Sequence, residues 1–130
     1  MIRKILGVVA GVVAGGLVVF AVEAVGHAVF PPPPGLDTSD PETMKTMMQS
    51  LPVGALLCVV VAWVLGAFAG GAVAALVGRS LGPALVTGAL QLLFGIVTMV
   101  MIPHPLWMIA LGIVLPLPAA WAGGTLVRRS

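Results

Sequence analysis

Glu23 and His27 stand inside the first long apolar run of this 130-residue sequence, and His104 stands in the turn between the third and fourth runs. Glu23 and His27 are four residues apart, so on a helix they share one face. A carboxyl group and an imidazole held together can share a proton or bind a metal ion. An ionisable residue within a membrane span is costly and is a functional candidate by default. The spacing therefore predicts a polar site of Glu23 and His27 with His104 above it, or else a polar pair that only fixes helix packing.

Soft metal ligands occur toward the same end of the predicted helices. Thioether and imidazole groups suit copper(I) or zinc. The weak metal-binding candidates are His27, His104, Met44, Met47 and Met48. Because methionine also fills gaps in apolar cores, packing is the favoured explanation for the methionines, and the sequence identifies no cofactor.

No motif of soluble enzymes accompanies these residues, since the sequence lacks a glycine-rich phosphate-binding loop, HExxH, CxxC and GxSxG. Apolar residues make up 60% of the chain and charged residues 8%, whereas soluble domains are about 25% charged. A soluble fold of this length could not bury so large an apolar fraction. The six basic residues are too few and too scattered to bind nucleic acid. Composition thus excludes a soluble enzyme and a nucleic-acid-binding protein, and it predicts a membrane protein.

Four apolar runs approach or exceed the roughly 20 residues that a membrane helix requires. They cover residues 5–30, 52–78, 83–102 and 105–126. The only long polar connection, residues 31–51, lies between the first two, and short connections force neighbouring helices to be antiparallel. The pattern predicts an all-α membrane protein with one domain, an antiparallel up-down-up-down bundle of four transmembrane helices. A cleaved signal peptide is the alternative for the first run, but signal peptides have shorter apolar regions of about 7–15 residues.

The basic residues predict how the chain is threaded. Five of the six fall on one side of the four runs: Arg3, Lys4, Arg79, Arg128 and Arg129. Lys45 alone falls on the other side. Because cytoplasmic segments carry an excess of Lys and Arg, we expect a multi-pass protein with both termini cytoplasmic and with residues 31–51 and the His104 turn outside.

Small residues recur every fourth position in the first two runs. The first run carries Gly7, Gly11 and Gly15, and the second carries Gly66 and Gly70 within a longer stripe. Such patterns, of the GxxxG type, let helix backbones approach closely in lipid. We expect the first two helices to cross through these glycines. Alternatively, part of the stripe is a contact face for a second copy or another membrane protein.

The last two runs contain residues that should shape the interior of the bundle. In the third run one side carries Thr87, Gly88, Gln91, Gly95 and Thr98. Gln91 would be costly against lipid, so we expect it to face the bundle and to form a hydrogen bond between helices. In the fourth run Pro116 and Pro118 remove backbone donors and should bend or break the helix.

The outer loop is predicted to contain a stiff proline spacer at 31–34 and then a short helix. The sequence SDPE at 39–42 predicts the helix start, with Ser39 as the capping residue, a proline in the first turn and a glutamate three residues on. One face of that helix then carries Met44, Met47, Met48 and Leu51. We expect a short amphipathic helix that lies on the outer membrane surface or folds over the bundle as a cap.

Three segments resemble an uncharacterised family of small four-span proteins of bacterial inner membranes. They are EAVGH at 23–27 with the prolines that follow, GAFAGG at 66–71, and IPHP at 102–105 with Trp107. The resemblance covers nearly the whole chain and implies a bacterial inner membrane but no activity. A glutamate in the first of four spans is also similar to small multidrug transporters. Their function is not carried over, because this sequence has no tyrosine and no evident aromatic set around the acid.

Three functions follow as hypotheses. The first is an accessory or interaction subunit whose partners are the lipid bilayer and a second copy or another membrane protein, with no nucleic acid. The second is a periplasm-facing protein that handles protons or metal ions through Glu23, His27 and His104. The third is a membrane-embedded enzyme acting on a lipid or a quinone.

Overall fold

The chain folds into six α-helices in the computed structural model, which describes residues 1–31, 39–102 and 104–129, with the side chain of Met48 excepted. The helices are α1 (Ile2–Val29), α2 (Pro41–Ser50), α3 (Val53–Gly78), α4 (Leu81–Met101), α5 (Leu106–Val114) and α6 (Pro116–Arg129). Four helical segments are long and apolar enough to cross a membrane: α1, α3, α4 and the pair α5 and α6 taken together as Leu106–Arg129. The prediction of an all-α fold with four helices long and apolar enough to span a membrane is confirmed within the described residues. Residues 32–34 of the predicted proline spacer lie outside the described residues.

The helix ends follow the local sequence closely. The fourth span is interrupted at Leu115, between α5 and α6, which confirms the break predicted from Pro116 and Pro118. Neither proline has an N–H group, so Gly112 and Val114 lose the donors that would normally bond to their carbonyl oxygens.

The helix α2 begins one residue later than a Ser39 cap would place it. Asp40 is the capping residue, since its side chain accepts a hydrogen bond from the Glu42 backbone N–H at 3.2 Å and another from the Thr43 hydroxyl at 2.9 Å. Pro41 then takes the first helical position, where its missing donor costs nothing. The expectation of Ser39 as the capping residue was therefore wrong by one position.

The helices α1 and α3 make close backbone contacts through glycines. A Cβ atom added to Gly11 would lie 2.6 Å from the Gly70 carbonyl oxygen, and one added to Gly66 would lie 2.9 Å from that of Gly15. A Cβ on Gly7 would likewise come within 2.6 Å of the Ala74 carbonyl oxygen. Ordinary contacts of a Cβ begin at about 3.4 Å. The backbones of α1 and α3 therefore lie closer together than a side chain at these glycine positions would allow. The glycine stripe of α3 is thus occupied by α1.

The helix α3 also packs against α4, α5 and α6, and so it lies at the centre of the bundle. Its contact with α6 uses glycines too, because a Cβ on Gly71 would overlap the Ala120 backbone and one on Gly123 would overlap the Phe68 carbonyl. Within the described residues, a buried apolar cluster of Leu56, Val60 and Met108 joins α3 to α5.

Basic residues gather where α3 ends. The Arg3 side chain donates a hydrogen bond to the Val77 carbonyl oxygen at 3.2 Å, and Arg128 donates one to the Arg79 carbonyl oxygen at 2.8 Å. Arg79 itself ends α3 with a left-handed backbone, at φ 54°. Cations at a helix C-terminus satisfy exposed carbonyl groups and complement the helix dipole. These bonds join the two ends of the chain to the same end of α3.

Candidate functional site

Glu23 is half-buried on α1, six residues before the last helical residue Val29. At 1.5 Å per residue it lies about 9 Å from that end of the helix. The part of the chain that the structure describes offers its carboxyl group no hydrogen bond or ion pair, although His27 is near enough to interact with it electrostatically. An unpaired carboxyl within a span is expensive, so its surroundings decide what it can bind.

Those surroundings are a cavity of about 410 Å³ between α1, α3, α4 and the broken fourth span. Its lining residues are Val12, Gly16, Val19, Glu23, Trp63, Gln91, Phe94, Gly95, Thr98, Gly112 and Pro116. Two glycines help to keep it open, since no atom lies within 4 Å of a Cβ added to Gly16 or to Gly95. Nearer the Gly11 crossing the same two helices close up, because Thr87 and Gln91 fill the space between α1 and α4. The cavity is therefore a local separation of α1 from α4 on the side that carries Glu23.

Gln91 borders the cavity where the helices converge. Its side-chain amide donates a hydrogen bond to the Gly66 carbonyl oxygen at 3.3 Å, which confirms the predicted bond between helices. The same amide occupies space that only glycine leaves free, because a Cβ on Gly15 would overlap it and one on Gly70 would lie 2.9 Å from it. The glycine stripe thus serves the site as well as the packing, since it makes room for this polar group.

The proline break also belongs to the cavity. Gly112 and Pro116 both line it, and the carbonyl oxygen of Gly112 is one that Pro116 leaves without a helical donor. The sequence predicted the break but gave no sign that it would border Glu23. Only the packing of the fourth span against α3 and α4 brings the two together.

Two aromatic side chains in the cavity were missed from the sequence, Trp63 of α3 and Phe94 of α4. Phe94 is 61% exposed, so it lies at the edge of the cavity that faces the surroundings of the bundle. Its position was readable, since Phe94 lies three residues after Gln91 on the polar face of α4. From the sequence no aromatic set was evident around the acid, whereas helix packing brings Trp63 and Phe94 to the cavity that Glu23 also lines.

The two histidines are placed differently. His27 is exposed and lines a second, smaller cavity, which Glu23 also lines. His104 is half-buried, its Nδ1 donates a hydrogen bond to the Ile102 carbonyl oxygen at 2.6 Å, and its ring lies 5.8 Å from that of Trp63 at an angle of 50°. The structure thus brings Glu23 and His27 to one cavity. His104 lines neither cavity, but its ring lies near that of Trp63, which lines the large one.

The metal-binding candidates do not form a conventional site. Across residues 1–31, 39–102 and 104–129, no group of three or more His, Cys, Asp and Glu side chains is close enough to hold a metal ion. Met47 lines the small cavity with His27, while Met44 lines neither cavity. The side chain of Met48 lies outside the described part of the chain.

Comparison of the chain with protein-family models, with curated proteins and with solved structures finds no match. Function is therefore inferred from the two cavities and from the residues that line them.

Proposed function

We propose that this protein binds a small lipophilic molecule with a basic end inside the membrane, in the cavity that Glu23 lines. The observation that carries the proposal is the Glu23 carboxyl group in the wall of a 410 Å³ cavity, without a hydrogen bond or ion pair among the described residues. Cavities of about 300–1,000 Å³ with apolar walls and a few convergent polar groups are typical of small-molecule sites.

The charge around Glu23 favours a cationic end on the ligand. No Lys or Arg lines the cavity among the described residues, so a positive charge for Glu23 must come from His27, from a proton or from the ligand. Trp63 and Phe94 line the same cavity, and aromatic faces attract cations when both are shielded from water. A protonated amine would therefore find a carboxylate and two aromatic rings together.

The remaining walls favour an apolar body on the ligand. The side chains of Val12, Val19 and Pro116 are apolar and Gly16 and Gly95 have none, while Gln91 and Thr98 each add one polar group. Gly16 and Phe94 line the cavity and are exposed on the outside of the bundle. A ligand dissolved in the bilayer would thus enter sideways between α1 and α4, without crossing water.

We also propose that the four spans alternate in direction and that both termini lie in the cytoplasm of a bacterial inner-membrane protein. Support comes from the order of contacts, since positions 7, 11 and 15 of α1 meet positions 74, 70 and 66 of α3. Arg3 and Arg128 both bond to the end of α3, so the basic residues share one side, as cytoplasmic residues do. Whether α2 lies on the outer surface or caps the bundle stays open, although Met47 lines the small cavity.

The role of accessory or interaction subunit stays a prediction. One reason for it was the glycine stripe, and α1 takes up that stripe within the chain. A membrane-embedded enzyme likewise stays a prediction without a supporting contact. The binding function is favoured over both because it uses the cavity that the helices leave open.

The test uses the fluorescence of Trp63 in the full-length protein, purified in detergent, with Trp107 and Trp121 replaced by Phe. The probes are 12-bromododecylamine and its matched alcohol, 12-bromododecanol, because a bromine atom quenches a nearby indole. We expect saturable quenching by the amine. Glu23→Gln should weaken amine binding by about tenfold and leave alcohol binding unchanged. A tenfold change corresponds to about 1.4 kcal/mol, which is close to the smallest contribution of a hydrogen bond to a charged group.

Gly95→Leu is the matched blocking variant. Its Cβ meets no atom within 4 Å, so the side chain should fill the cavity without disturbing the helices. We expect saturable quenching by both probes to be lost in this variant, with the thermal stability kept. Quenching that rises linearly with probe concentration in all variants, or saturates equally in Gly95→Leu, would refute a ligand site in this cavity.

A further inference from the structure

A second cavity, of about 70 Å³, is lined by residues near the end of α1 and the start of α3 and by Met47 of α2. Four of its lining side chains are of types that bind metals: Glu23 and His27 of α1, Met47 of α2 and Cys58 of α3. The other lining residues carry apolar side chains or none. Residues with nitrogen, oxygen and sulfur ligands thus come from three helices to line one small cavity.

The contact between α1 and α3 sets the position of the thiol. A Cβ added to Gly26 would lie 3.1 Å from the Cβ of Cys58 and 3.7 Å from its sulfur. The bare backbone of Gly26 therefore lets the Cys58 side chain lie directly against α1, one residue before His27. Met47 reaches the same cavity from α2, and its unbranched thioether side chain has three rotatable bonds with which to approach a bound ion.

The ligand types select among metals. Zinc sites use about four ligands from Cys, His, Asp and Glu, and no group of three such side chains lies within reach of a common metal in the described chain. A thiolate, a thioether and an imidazole together form a soft set, which favours copper(I). We propose that Cys58, Met47 and His27 bind one copper(I) ion in this cavity, at the outer end of the bundle.

Binding requires no change of oxidation state. The ion arrives as copper(I), the Cys58 thiol loses its proton as the copper–sulfur bond forms, and the proton goes to solvent or to the Glu23 carboxylate. His27 is exposed, so an ion from outside the bundle can reach this ligand directly. The site is separate from the ligand proposed for the large cavity, although Glu23 borders both.

The experiment is a competition for copper(I) between the purified full-length protein and the chelator bathocuproine disulfonate, under a reducing and oxygen-free buffer. We expect one copper(I) ion per chain, and silver(I) should compete for it while zinc should not. Loss of an outer-shell partner typically lowers metal affinity by about 10–100-fold, so loss of a direct ligand should cost at least as much. Cys58→Ser, Met47→Leu and His27→Ala should each show such a loss.

Met44→Leu is the matched control, because Met44 is on the same helix as Met47 but does not line the cavity. Its copper affinity should stay within about twofold of wild type, since no ligand is lost. Equal losses in Met44→Leu and Met47→Leu, unchanged binding in Cys58→Ser, or zinc binding as strong as copper binding would each overturn the proposal. If Cys58→Ser does not fold, the pair Met47→Leu and Met44→Leu decides it. Copper binding and quenching by the bromoamine are measured separately, so either proposal can fail alone.

Discussion

Gly11→Ala should test how tightly α1 is packed against the bundle. A Cβ at this position would lie 2.6 Å from the Gly70 carbonyl oxygen, 2.7 Å from the Ala74 Cβ and 2.9 Å from the Thr87 hydroxyl oxygen. Ordinary contact begins at 3.4 Å, so α1 must move by several tenths of an ångström against two helices at once. Overpacking of this kind costs about 1–3 kcal/mol.

Gly16→Ala, on the same helix, is the matched control because no atom lies within 4 Å of its added Cβ. Both substitutions gain the same helix propensity, about 1 kcal/mol in favour of alanine. The difference between the two variants therefore isolates the steric cost, and we expect Gly11→Ala to be less stable than Gly16→Ala by about 1–3 kcal/mol.

The assay is unfolding by SDS in mixed micelles, followed by circular dichroism, with the free energy of unfolding obtained for each variant. Equal free energies for Gly11→Ala and Gly16→Ala would refute the reasoning, because they would mean that Gly11 does not lie against α3 and α4. A Gly16→Ala variant that is the less stable of the two would contradict it equally.

Two further predictions concern the polar contact and the threading of the chain. Gln91→Leu should lower the free energy of unfolding by about 0.6–1.7 kcal/mol, the average and the maximum for hydrogen bonds between membrane helices, because the bond to the Gly66 carbonyl is lost. Thr98→Val should lower it less, because the Thr98 hydroxyl bonds within its own helix. An equal loss in both variants would contradict this prediction. A reporter that is active only in the periplasm should stay inactive when it is fused to the C-terminus. The same reporter should be active when it is inserted in the loop 31–51. The opposite pattern would contradict the proposed orientation.

Much of the architecture was readable from composition and spacing. The four apolar runs fell within a few residues of the helices, because a membrane helix is defined by its own length and apolarity and needs no partner to form. The break at Leu115 followed from two prolines, since a missing N–H group acts locally. The capping residue of α2 was misplaced by one position, because Ser39 and Asp40 both carry suitable oxygens and the choice depends on backbone geometry.

The polar site was only partly predictable. Glu23 and His27 were identified because charge inside an apolar run stands out, and their spacing on one helix brings them together. Trp63 was missed because an aromatic residue in an apolar run has no distinguishing feature, whereas Phe94 was overlooked although it lies on the polar face of α4 with Gln91. His104 was grouped with Glu23 by its predicted depth alone, and depth does not tell which way a side chain turns.

By itself the sequence determined the number of spans, their limits, the break in the fourth and the presence of one costly carboxyl in the first. Each of these depends on the properties of a single segment in lipid. Only the tertiary structure decided that α1 separates from α4 beside Glu23, that Trp63 and the proline break line the resulting cavity, and that Cys58, His27 and Met47 line a second, smaller one. Those arrangements depend on how closely glycines let particular helices approach, which is a property of pairs of surfaces far apart in the chain.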